Sequence, residues 1–276
     1  MIHDEKYMWI YILIWLASVG AMVGLMMLSG KVLPDNKVCT IIESVVITIV
    51  ALGFLYLISG KKTFTYLNNQ TGYTVKMLLP TLIFSFIFGL FGVVVAFSEK
   101  PPLKADWVVS LLVLAVEMFL VGIYEEACFR ACACDALLPV LKNTKHPFLL
   151  TAVISGLVFG YVHVVSVDFS DTQQVLQFFL KILNLALSGA AFMLLYWKTR
   201  NLLGLAIVHG LNDFLPMFLN EIFRFKESES SEGYISGNQG TTAVYLIQLV
   251  FEIAVFIYIY KKVGPTLDYN KILEEW

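Results

Sequence analysis

A chain of 276 residues that is 58% hydrophobic and 14% charged, with mean hydropathy +0.77, is too apolar for a water-soluble domain, which runs at about 45–50% apolar and about 25% charged. The net charge of −2 and the lack of any basic tract exclude an electrostatic footprint for nucleic acid. The four cysteines, Cys39, Cys128, Cys132 and Cys134, show no CxxC spacing, so neither a disulfide framework nor a thiolate metal site is expected.

The apolar excess falls into blocks of about 20 residues, the length that crosses a hydrocarbon core about 30 Å thick. In chain order these blocks predict eight spans: 8–29, 39–59, 75–97, one within 107–141, 147–167, 173–197, 201–223 and 241–262. The expected fold is therefore all-α, a polytopic transmembrane bundle forming a single domain over 1–276, with its polar motifs in a core at 107–223. The first block follows MIHDEKY without a small-residue cleavage site and reads as a retained span. Connectors 60–73 and 98–105 carry turn residues and lysines, and 223–240 is the one long polar loop. Its acidic part, 226–232, reads as a solvated connector, with a gate to a cavity as the alternative.

Lysine and arginine are distributed eleven to six between the two sides when the N-terminus is cytoplasmic. The positive-inside rule then puts both termini in the cytoplasm. Short connectors fit a bacterial plasma membrane. Gly20/Gly24 and Gly156/Gly160 have the four-residue spacing that lets helix backbones approach closely.

Three polar constellations interrupt the apolar blocks. The first is Glu125, Glu126 and Arg130 in IYEEACFRACACDALLP. A charge at the bilayer centre costs about 2.5–3.5 kcal/mol on insertion scales, so these groups must face protein or a wet cavity. On an α-helix Glu126 and Arg130 share a face and are geometrically suited to pair, leaving Glu125 about 100° away. The second is FGYVHVV, with Phe159 and His163 on one face; the third is VHGLNDF, with His209 and Asp213 on one face and Asn212 one step round. Taken singly, each has a bland account as a structural salt bridge, a satisfied core histidine or a hydrogen-bonded knot.

Together they supply two carboxylates, an arginine, two imidazoles and an Asn–Asp pair. A desolvated glutamate beside histidine is a candidate general base, and a histidine N–H or an amide can stabilise an oxyanion. For Glu125 and His163 to lie at one depth, membrane depth must include 127–141, so 107–141 is expected to be either one long helix or an interfacial helix running into a span. Among the remaining polar residues, Glu117 reads as lining the edge of the same cavity, Lys181 as snorkelling and Glu43 as interfacial, while Glu252 has no motif to explain it.

In this order, Glu125-Glu126-x-x-x-Arg130, Phe159-x-x-x-His163 and His209-x-x-x-Asp213 resemble the CAAX-protease and bacteriocin-processing family (CPBP, or Abi), whose pattern is EExxxR, FxxxH and Hxxx(N/D). The resemblance covers about 120–216. It implies a multi-spanning intramembrane endopeptidase in which Glu125 activates water with help from His163. It further implies that His209 and Asp213 support the oxyanion, and that Glu126, Arg130, Phe159 and Asn212 support the site. No cofactor is implied, and nothing resembles the HExxH metal motif. Two positions depart from the pattern: Ala131 stands where glycine is common, and Asp213 where asparagine is frequent. An aspartate donates a hydrogen bond only when protonated, which bears on its oxyanion role. The substrate so implied is a membrane-delivered peptide or lipidated protein. Two other classes compete: a non-catalytic immunity or regulatory protein binding a peptide or a membrane sensor kinase, and a proton-coupled transporter. The intact residue set argues against the former, and the lack of broken half-helices against the latter.

Overall fold

The computed structural model describes residues 8–34, 36–164, 167–225 and 235–275. The acidic stretch 226–232 lies outside the described residues. The described chain is helical, and the pairing of Leu103 with Phe223 is its only β-bridge. Eight long apolar helices follow one another: α1 Met8–Val32, α2 Lys37–Ser59, α3 Leu79–Glu99, α4 Trp107–Leu141, α5 Pro147–Val162, α6 Thr172–Thr199, α7 Leu202–Ile222 and α8 Gln239–Val263. All but α5 are long and apolar enough to cross a membrane, so the protein is an integral multi-pass membrane protein. Their outward faces carry large apolar side chains: Ile49 is 64% exposed, Leu112 63% and Val250 70%. In water such surfaces would drive association; in lipid they are the natural exterior.

The fifth predicted span is the one that changes. At 16 residues α5 is about 24 Å long, short of a hydrocarbon core. It ends at Val162, so His163 caps the helix instead of sitting within it. The 107–141 alternatives resolve to one 35-residue helix, about 52 Å long. Its α-helical turns are interrupted by a π-helical turn at Ala127–Cys132. Such a turn carries an extra residue and is frequent at functional sites.

Helix ends are fixed by side-chain caps. Asn36 accepts from the amides of Val38 and Cys39, Asp171 from Gln173, Asn201 from Gly204 and Asn238 from Thr241. Each cap satisfies an amide that the first helical turn leaves without an intrahelical partner.

The chain divides into two compact units. One comprises Ala17–Cys128 and Asn201–Ser228; the other comprises Met1–Leu16, Phe129–Arg200 and Glu229–Trp276. In the first, α7 packs on α3 and on the Trp107–Glu126 part of α4, and α2 also packs on that part of α4. Glycines set these approaches. A Cβ on Gly122 would collide with the Ala206 carbonyl, one on Gly210 would come within 2.6 Å of the Met118 carbonyl, and one on Gly89 would collide with the Leu215 carbonyl. In the second unit, α6 lies between α5 and α8, and the last turns of α4 rest on α5. Gly156 and Gly160 pack against Ala186 and Ile182, at 2.9 Å for an added Cβ, as their spacing predicts. Gly20 and Gly24 have no neighbour within 4 Å of such a Cβ, so that spacing marks no contact. None of the four cysteines forms a disulfide, and Cys128, Cys132 and Cys134 are buried, as expected of small apolar residues.

Candidate active site

In the Ala17–Cys128/Asn201–Ser228 unit, the first and third motifs meet. The last turn of α-helix before the π turn carries Glu125 and Glu126, both buried. Across the Gly122/Gly210 crossing, α7 presents His209 to both. Its Nδ1 lies 2.7 Å from Glu126 Oε1 and its Nε2 3.2 Å from Glu125 Oε2. The same Nε2 is 3.4 Å from Asp213 Oδ2, one turn further along α7. Carboxylates accept and do not donate. Filling both ring contacts therefore requires an imidazolium, or a neutral imidazole with a proton on one of the carboxyls. Asn212 is turned aside: its Oδ1 accepts from the Ser85 hydroxyl of α3 at 2.9 Å.

Glu126 has His209 as a partner on another helix, a contact that residue spacing within α4 does not reveal. Ser85 was missed altogether. It sits in the uniformly apolar run LIFSFIFG, at no diagnostic spacing from any other polar residue.

In the Phe129–Arg200 unit, the arginine of the first motif joins the second motif. The Arg130 guanidinium lies 4.4 Å from the Phe159 ring centroid and 5.9 Å from that of Phe192. Gly189 leaves the space beside it: a Cβ there would sit 3.5 Å from the guanidinium. Phe159 in turn meets His163 edge-on at 4.6 Å and Phe129 at 5.0 Å. The phenylalanine of FxxxH is thus a spacer between cation and imidazole. His163 Nδ1 is 2.7 Å from the Phe159 carbonyl. A carbonyl only accepts, so Nδ1 carries the proton, and in the neutral ring Nε2 presents its lone pair. Ser155 on α5 donates to the Phe129 carbonyl inside the π turn, where the i→i−4 ladder is broken.

Three more polar residues lie apart from these contacts. Glu117 lines a separate polar cavity of about 620 Å³ with Lys37, Asp106 and Glu221, whose lining includes neither Glu125 nor His209. The Lys181 ammonium lies 5.6 Å from the Tyr245 ring centroid. Glu252, unexplained by any motif, is buried on α8 with Gln248 and Lys181 as its polar neighbours. Among the described residues, no three His, Cys, Asp or Glu side chains are grouped as ligands for a metal.

No curated protein and no solved structure matches the chain. A family model does, over residues 107–215, the stretch that begins with α4 and ends two residues past Asp213; its description is type II CAAX prenyl endopeptidase Rce1-like. This matched stretch contains every residue of the three motifs, and over it the chain is similar to the type II CAAX prenyl endopeptidases.

Proposed function

We propose that the protein hydrolyses a peptide bond in a prenylated, membrane-delivered substrate, using a water that Glu125 activates. The carrying observation is the His209 ring held between Glu126, Glu125 and Asp213 at 2.7, 3.2 and 3.4 Å, inside the family-matched stretch. Glu125 takes a proton from water as the oxygen attacks the scissile carbonyl. The C–N bond breaks as that proton passes to the leaving amine. His163, with Nδ1–H committed to the Phe159 carbonyl, assists at Nε2. Glu126 holds His209 through Nδ1, and the Nε2–H of His209 stabilises the oxygen that gains charge. Asp213 accepts from the same edge of the ring, so no protonated aspartate is needed as a donor. Arg130 and Phe159 set the position of His163, and Asn212 braces α7 on Ser85.

The bilayer supplies the substrate by lateral diffusion, and both termini face the cytoplasm, in keeping with the eleven-to-six lysine and arginine bias. The test is cleavage of a fluorogenic prenylated peptide by purified protein carrying Glu125→Gln or His163→Ala. Each change is expected to lower kcat at least about 100-fold while thermal unfolding stays near wild type. Undiminished cleavage by both variants would sink the assignment. Wild-type protein that never cleaves, yet binds a partner unaffected by either change, would favour the regulatory class. Cleavage is expected to survive a chelator titration; its loss, with rescue by one added metal, would replace the glutamate-water scheme.

A further inference from the structure

In the Phe129–Arg200/Glu229–Trp276 unit, a cavity of about 840 Å³ opens between α5, α6 and α8, lined with no part of the three motifs. Its origin lies in the helix packing. Gly156 and Gly160 pin α5 to α6 at one end. From that contact onward, α6 lines the cavity with Ala186 and Ala190 among leucines, and α5 with Ala152, Val153 and Leu157. The shaft is apolar at membrane depth.

The mouth differs from the shaft. The residues before Pro147 that line it are Lys145 and His146, both exposed. Just inside them is an aromatic collar, in which Phe148 packs on Trp197 at 4.9 Å and on Tyr269 at 4.5 Å. Aromatic residues of this kind mark the headgroup level of a bilayer. Helix ends at the same level add Lys198, whose ammonium reaches the Thr266 carbonyl at 3.0 Å, and Lys261 and Lys262 in the last turn of α8. No acidic residue lines the cavity. Among the described side chains, Asp135 pairs with Arg200 at 3.5 Å and Asp268 accepts from the Lys271 amide.

An apolar shaft with positive charge at one end only matches an amphiphile with one anionic head. Basic pockets between helices on the lysine-rich side of a membrane recognise such headgroups. We propose that this cavity binds an anionic phospholipid of the bilayer, with one acyl chain over Ala186 and Ala190 and the phosphate at Lys145 and His146. The site is independent of the catalytic proposal.

The full chain in nanodiscs containing phosphatidylglycerol and phosphatidylcholine tests it, with retained lipid read by native mass spectrometry. Wild type is expected to retain phosphatidylglycerol about fivefold above its share of the bilayer, the ratio that about 1 kcal/mol per basic contact supports. Lys145→Glu with His146→Glu should abolish that preference, and Ala190→Trp should remove the retained lipid by filling the shaft. Lys37→Glu, in the other unit, should leave both unchanged. If the double charge reversal does not fold, Ala190→Trp and the wild-type ratio decide alone. Equal retention of the two lipids by wild type overturns the proposal. So does one-for-one displacement of phosphatidylglycerol by a prenylated peptide, which would make the shaft a prenyl site.

Discussion

At the residue scale, the site turns on how one imidazole can serve three carboxyl groups. His209 is fixed through Nδ1 by Glu126, which is fully buried, and directs Nε2 toward Glu125 and Asp213. Glu126→Gln keeps the shape but replaces the carboxylate acceptor at Nδ1 by an amide. It is expected to lower kcat about 10–100-fold, less than Glu125→Gln, because it moves the ring's proton and orientation and not the base itself. A steady-state comparison of the two variants checks this order; a larger loss in Glu126→Gln would exchange their roles. Ser85→Ala removes the hydroxyl that Asn212 accepts from. Loss of one such buried bond is expected to cost about 1 kcal/mol, read as a lower melting temperature in detergent with kcat near wild type. The three motifs were legible because each places ionisable groups where lipid would penalise them. That His209 meets Glu126 was not legible, because the two lie 83 residues apart on different helices.

At the element scale, the decisive feature is the crossing of α4 and α7. One glycine on each helix, Gly122 and Gly210, lets the backbones touch and brings His209 to the glutamates. A four-residue glycine spacing reveals a contact built from two glycines on one helix, as at Gly156 and Gly160, but not one built from a single glycine on each. Gly20 and Gly24 show the reverse error, a spacing without a contact. Gly122→Ala is therefore expected to separate α4 from α7, cost about 1–3 kcal/mol of stability by overpacking and lower activity steeply. Gly24→Ala, where nothing lies within 4 Å, should leave both unchanged. Thermal unfolding and turnover of the two variants check the contrast, and equal effects would contradict it. The π turn at Ala127–Cys132 had no signature in the sequence, because it is a matter of hydrogen-bond register within an apolar run that reads equally well as plain helix.

At the scale of the whole molecule, hydropathy alone located all eight apolar helices, because a bilayer admits few structures other than helices that satisfy their own backbones. It overestimated the fifth, whose predicted 147–167 ends at Val162, since a sliding count of apolar residues continues through the YVHVVSV stretch after the helix has stopped. On the proposed topology, in which α5 also crosses, the connector at 167–171 lies on the side opposite the termini. Cysteine labelling at Ser170 from outside intact cells is expected to succeed, and labelling at Thr266, just after α8, only after permeabilisation; the reverse pattern would invert the topology. The hydrolytic reading is tested most directly by giving a prenylated CAAX peptide to wild-type protein and to Glu125→Gln in proteoliposomes made in ¹⁸O-water, with mass spectrometry of the products. One endoproteolytic cut carrying ¹⁸O in the new carboxylate, present with wild type and absent with the variant, is the expected result. The same cut at the same yield from both proteins would contradict it.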